Sequence, residues 1–233
     1  MKAAEIELAW QGPPQCQDCG IRHLVLFSDL HYSDFNLIHQ PIEEPRFAEK
    51  EYLYRIGEQS DCIFTLREGL VKLVQYLPSG NQRIVRLLKP GDIAGIEALS
   101  GEPTHQDAVV LTPLRVCQIP VPVIERLSKE TPRLHRQLMA HWQQVMNKAE
   151  FWLTELSIGP ARLRVARLLV RLAEYQIEDA TYLPRREDIG AILGITTESA
   201  SRITASFKRE GLLEEFDNQR ATIDVPALRK LSG

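Results

Sequence analysis

Residue types that can do chemistry fall in two places along this 233-residue chain. The first is CQDCGIRH, residues 16 to 23, in which Cys16 and Cys19 stand three apart. Close thiol pairs bind metals or exchange electrons, because the thiolate is both a soft ligand and a nucleophile. Asp18 and His23 lie beside them, and Cys62 and Cys117 lie far downstream. Zinc on Cys16, Cys19, Cys117 and His23 is an acceptable Cys3His set. Dithiol exchange among Cys16, Cys19 and Cys117 is equally open. So is a structural role, with Cys62 and Cys117 as small buried hydrophobes. The second place is EDIGAILGITTESASRITASFKREGLL, residues 187 to 213. Here Glu198, Ser201 and Arg202 fall at i, i+3 and i+4, on one face if the segment is helical. The plain alternative for this trio is a solvated face with a Glu–Arg pair.

The totals restrict what these residues can serve. Hydrophobic residues make up 44% and charged residues 25%, ordinary values for a globular chain. No run approaches the roughly 18 apolar residues of a membrane span. Met1 to Trp10 carries Glu5 and Glu7 without an apolar core, so no secretory signal is expected and the protein is expected in the cytoplasm. Four cysteines are too few for a disulfide scaffold in a chain of this length. The net charge of -3 hides a gradient: from Ile158 to Gly233 there are 12 Lys and Arg against 11 Asp and Glu. The C-terminal part is therefore the one suited to face an anion.

Several elements must position these residues. From about Asp34 to Pro120 the chain reads as short extended runs broken by turns, with alternation in LVKLVQYL and a turn at Pro78 to Asn81. That pattern predicts a small β-barrel or jelly roll. After Pro122 the texture changes. Leu134, Leu138, Trp142, Val145, Ala149, Trp152 and Leu156 form one apolar stripe near coiled-coil period on a long helix. The stripe is read as a dimer seam, with burial on its own domain as the alternative. Ile158, Gly159 and Pro160 end the helix. RLRVARLLVRLAEYQ is a second amphipathic helix, and residues 187 to 213 read as helix, tight turn, helix, with Gly194 at the turn. Thr196 or Thr197 caps the second of these helices. LLEEFDNQRATIDV reads as a hairpin wing.

This order of β-roll, apolar-striped helix and helix-turn-helix with wing resembles the CRP/FNR family of bacterial transcription regulators over essentially the whole chain. CQDC followed far downstream by VCQIP narrows the resemblance to the FNR-like branch. The resemblance implies an α+β protein in four parts: an N-terminal cysteine segment, 1–33; a cyclic-nucleotide-binding-type β-roll, 34–121; a dimerisation helix, 122–157; and a winged helix-turn-helix, 158–233. It places the second helix of the motif in the major groove of double-stranded DNA. Glu198, Ser201 and Arg202 then read base edges: Arg pairs with guanine O6 and N7, Glu accepts from cytosine N4, and Ser serves either way. Thr197, Lys208, Arg209 and Arg220 fall to the DNA backbone, with Arg185 and Arg186 adding to them. The implied site is a palindrome of TTGAT-type half-sites read by a homodimer. RNA polymerase is the implied partner, met through barrel loops such as SGEPTHQ, and no membrane is involved.

The resemblance also frames the signal. Barrels of this family hold cyclic nucleotide with a Gly-Glu pair at the ribose and an Arg-Ser pair at the phosphate. Those places hold Gly95 with Ile96, and Gln106 with Asp107. An apolar residue cannot hold a ribose hydroxyl and an Asp repels a phosphate, so cyclic AMP is not expected. The FNR-like alternative is a 4Fe-4S cluster on four thiolates. Cys16, Cys19 and Cys117 match three of these, while Val25 stands at the remaining position. A cluster therefore needs a substitute ligand, for which His23 and Asp18 are the candidates. The expected function is sequence-specific transcription regulation responding to oxygen or redox state. One alternative is a regulator without a cluster, constitutive or answering an unidentified small ligand; another is a sensor module acting by protein contact without DNA. The sequence carries no nucleophile-base motif, phosphate loop or HExxH pair, so no enzyme is expected.

Overall fold

The computed structural model describes residue 27 and residues 30–232, apart from 178, 217 and 218. A 3-10 turn, Tyr32–Leu37, precedes the roll. The roll is built of β1 (Arg46–Phe47), β2 (Tyr52–Tyr54), β3 (Cys62–Glu68), β4 (Val71–Tyr76), β5 (Gln82–Leu88), β6 (Ile93–Ala94), β7 (Asp107–Val110) and β8 (Leu114–Pro120). These form two four-stranded sheets, ordered β1-β8-β3-β6 and β2-β7-β4-β5. The expected turn at Pro78 to Asn81 joins β4 to β5, and the Leu77 N–H donates to the Asn81 carbonyl at 2.9 Å.

Register in the central pair decides where the thiols point. β3 and β8 run antiparallel with Cys62 opposite Pro120 and Thr65 opposite Cys117. Side chains alternate between faces along a strand, so Ile63, Thr65, Cys117 and Ile119 share one face while Cys62, Phe64 and Gln118 share the other. The first face is covered by a core in which Phe27, Phe35 and Ile38 meet Ile63, Ile119 and the helices that follow.

The span expected as one dimerisation helix is two. α1 (Val121–Glu130) leaves β8 directly, and α2 (Pro132–Glu155) starts after a break at Thr131. The residue before a proline is pushed out of the helical region, and Thr131 has φ -130 and ψ 95. Pro132 itself suits a first helical turn, where its missing N–H has no role. Beyond the Gly159–Pro160 break come α3 (Ala161–Leu172), β9 (Gln176–Ile177), β10 (Ala180–Tyr182), α4 (Arg186–Leu193), α5 (Thr197–Arg209), β11 (Leu213–Glu215), β12 (Arg220–Ile223) and α6 (Val225–Ser232). β11 and β12 form the expected wing within a sheet ordered β11-β12-β10-β9. The chain clusters into two units, residues 1–75 with 87–145 and residues 76–86 with 146–233. Among the described residues no helix is long and apolar enough to cross a membrane.

Candidate nucleic-acid interface

The turn between α4 and α5 is fixed by two glycines. Gly194 takes φ +64, and its N–H and that of Ile195 both bond the Gly190 carbonyl, at 2.8 and 3.2 Å. A Cβ on Gly190 would lie 2.8 Å from the Ile195 carbonyl oxygen, so only glycine lets the chain fold back this closely. Thr196, not Thr197, caps α5, with the Ser199 N–H donating to its Oγ1 at 3.1 Å. Glu198 lies in the first turn and Lys208 and Arg209 in the last, each complementing the helix dipole. Ala200, Thr204 and Phe207 are buried, and the Thr204 hydroxyl donates to the Ala200 carbonyl at 2.8 Å. The opposite face is therefore outward. Thr197, Glu198, Ser201 and Arg202 are all exposed. Among the described residues no ion pair joins Glu198 to Arg202, so carboxylate and guanidinium both remain free.

The cations around this face differ in freedom. Lys208 and Arg186 converge on one carboxylate, Glu215 of β11, at 3.1 and 2.7 Å. Burial draws the Glu215 carboxyl upward, but Lys208 and Arg186 outweigh it and hold the pKa below the ordinary range. Arg209 and Arg185 are exposed, and Arg220 sits in β12 opposite Tyr182. Two arginines that sequence reasoning missed position the motif from α3. Arg162 lies over the Phe207 ring at 4.5 Å and donates to Ser206 Oγ at 3.0 Å and Glu210 Oε2 at 2.5 Å. Arg164 donates to the Leu193 carbonyl at 2.7 Å, satisfying the end of α4. In ARLRVAR these residues look like a solvated helix face, and nothing local announces partners about 30 and 45 positions away.

Of the candidate metal or redox residues, Cys117 lies among the described residues, as does Cys62. Cys117 is half-buried on the face carrying Ile63 and Ile119, with its Sγ 4.0 Å from Glu44 Oε1. Arg67 and Arg115 both pair with that carboxylate. Cys62 is buried on the opposite face, donates to Asp61 Oδ1 at 3.3 Å and accepts from Gln118 Nε2 at 3.5 Å. Burial pushes the Cys62 thiol up, Gln118 offsets part of this and Asp61 adds to it. Lying on the opposite face of the sheet, Cys62 is not placed to share a ligand set with Cys117. Cys16, Cys19 and His23, with Asp18 and Val25, lie outside the described residues.

The residues present do not fit a cyclic nucleotide. Gly95 takes φ +70 ahead of the 3-10 turn Ile96–Ser100, and its N–H already meets the Tyr54 hydroxyl at 3.3 Å. The Tyr54 ring lies 6.2 Å from that of Phe64. Asp107 is 5% exposed, and its carboxylate accepts the Ile56 N–H at 2.7 Å. Thr104 donates to the Arg55 carbonyl at 2.5 Å. The Gly95 N–H is thus already bonded within the chain, Ile96 rather than a carboxylate follows Gly95, and an acid, Asp107, stands where a phosphate would need a cation.

The apolar stripe needs correction. Leu134 and Leu156 are buried within the chain itself, and Leu138 packs against the same core as Leu134, so these three do not line an exposed seam. Val145 and Trp152 are half-buried. Met139, Trp142, Met146, Ala149 and Leu153 are exposed, Leu153 by 69%, and are spaced 3, 4, 3 and 4. That is the heptad spacing of a helix seam, rotated by one residue from the predicted stripe at several of its positions.

These features define a class: a winged helix-turn-helix DNA-binding regulator in which a long helix follows a β-roll. Residues 44–131 match the Cyclic nucleotide-binding domain, and residues 163–232 match the Crp-like helix-turn-helix domain. The crystal structure of a CRP-family transcriptional regulator from Thermus thermophilus is 30% identical, with 81% of this chain and 96% of that chain covered and a TM-score of 0.67. The Fumarate and nitrate reduction regulatory protein of Vibrio cholerae is 26% identical, with 94% of this chain and 90% of that protein covered. The Anaerobic regulatory protein of Pasteurella multocida is also 26% identical, over 94% of this chain and 82% of its own length. The chain belongs to the CRP/FNR family of transcription regulators. It is a DNA-binding regulator and not an enzyme.

Proposed function

We propose that this protein regulates transcription in the cytoplasm in response to oxygen or redox state. As a homodimer it reads a palindrome of TTGAT-type half-sites and acts with RNA polymerase. The observation that carries this reading is the trio Glu198, Ser201 and Arg202 at the start of a capped helix, exposed and with side chains unpaired among the described residues. These three read base edges, and Thr197, Lys208, Arg209 and Arg220 hold the backbone. The work divides among the four parts 1–33, 34–121, 122–157 and 158–233, and the seam runs through Met139, Trp142, Met146 and Leu153.

The oxygen signal is supported by the relatives' names and by Cys117, which lies on the sheet face that Phe27 and Phe35 cover. Cys16, Cys19 and Cys117, with His23 or Asp18 as the remaining ligand, would hold a 4Fe-4S cluster. Such a cluster supplies oxygen-labile chemistry when bound. The second reading, a regulator without a cluster, is favoured by Val25 at the remaining ligand position and by the orientation of Cys62. Iron and acid-labile sulfide per chain, measured without oxygen and again in air beside DNA affinity, separate the two. Stoichiometric iron lost in air together with DNA affinity supports the first reading. Iron-free protein that binds DNA equally in both conditions supports the second.

A further inference from the structure

Phe27 and the 3-10 turn Tyr32–Leu37 ahead of the roll pack against the root of α2. Phe27 and Phe35 meet edge to face at 6.3 Å, and both lie in one core with Leu127 of α1 and Leu134 of α2. Asp34 is the polar member of this packing. It is 8% exposed, and its Oδ2 accepts the His31 N–H and the Arg133 guanidinium, both at 2.7 Å. Burial draws its pKa upward, yet the Arg133 hydrogen bond and the His31 N–H together leave it below the usual Asp value.

Arg133 is oddly placed by helix rules. It is the second residue of α2, where the helix dipole disfavours a cation. Its Nε is buried without a partner among the described residues, so the side chain is anchored through its contact with Asp34. α2 is not continuous with α1, because the break at Thr131 uncouples their axes. The direction of α2 therefore depends on side-chain contacts at its root. The helix has 24 residues and is about 36 Å long at 1.5 Å per residue. A tilt of about 10° at the root displaces the far end by about 6 Å, most of the 8–10 Å between packed helices.

We infer that Asp34 and Arg133 are a positioning pair, through which the segment following the N-terminal cysteines holds α2 in the direction that dimerisation requires. This rests on the homodimeric DNA-binding reading. The test uses the full chain with D34N, R133Q and the double variant. Sedimentation gives the monomer–dimer constant, and titration compares a palindrome with a single half-site. Each single variant weakens dimerisation and palindrome binding by tenfold or more while half-site affinity stays within twofold. The double variant is less than threefold worse than either single one, because one contact is lost in all three. R133Q keeps the test open if D34N fails to fold, since Arg133 is the more exposed partner. A wild-type dimer with R133Q dimerising within twofold of it overturns the inference alone, as do single effects that multiply in the double variant. A wild-type chain that is monomeric at every concentration and on DNA overturns the dimeric reading itself.

Discussion

Lys208 shows how a single residue can be compromised between two tasks. It sits in the last turn of α5, where a phosphate contact is expected, yet in the free protein Glu215 already holds it at 3.1 Å. A lysine that neutralises a phosphate releases about one counterion, so K208A is expected to reduce the salt dependence of DNA binding by about one unit of slope. An unchanged slope in a salt titration leaves Lys208 as a tie between helix and wing. Asp34 offers a different check. Its folded pKa lies below the ordinary value of 3.8, so it binds protons less readily when folded. Its stabilising contribution is complete above that ordinary value and is lost as pH falls through the depressed one. The stability deficit of D34N is therefore expected to be constant near neutral pH and to shrink below about pH 4. Urea midpoints from acid to neutral pH measure it, and a deficit that grows on acidification contradicts the pairing.

The same separation of tasks recurs at the scale of elements, most clearly in α2. Leu134 belongs to the protomer's own core, so L134A is expected to cost about 2–5 kcal/mol in denaturant unfolding. Leu153 is 69% exposed, so L153K is expected to leave the fold intact and shift the chain to monomer in sedimentation. Equal effects of the two on unfolding and on assembly contradict this division. The helix carries two apolar stripes one residue apart, one for its own core and one outward. A sequence period of about 3.5 to 3.6 residues accommodates either, so the predicted stripe mixed Leu134, Leu138 and Leu156 with Trp142 and Ala149. The helix-turn-helix was legible because its determinants are local: Gly194 at the turn, a threonine cap, and buried positions spaced for one helix face. The break at Thr131 was also local, written in Pro132, but the long stripe masked it. What stayed hidden was non-local: Glu215 gathering Arg186 and Lys208, and Arg162 stacking on Phe207.

At the scale of the whole molecule, a roll matching a cyclic nucleotide-binding domain bonds backbone N–H groups around its Gly95 and Asp107 positions with its own side chains. Tyr54 meets the Gly95 N–H, and Asp107 meets that of Ile56. Cyclic AMP and cyclic GMP at millimolar concentration are therefore expected to leave the melting temperature unchanged, since a ligand binding only the folded state would raise it. A dose-dependent rise contradicts this expectation. Two recognition helices on one dimer bind a palindrome more tightly than either binds a half-site, which is why the seam matters to reading DNA. Glu198, Ser201 and Arg202 are expected to do that reading. The most direct test is the affinity of wild type and R202A for a TTGAT palindrome and for the same duplex with its guanines replaced. Wild type is expected to prefer the palindrome strongly, and R202A to lose that preference by about 1–3 kcal/mol per half-site while keeping its weak general affinity. Full discrimination retained by R202A rules Arg202 out as a reader of those guanines.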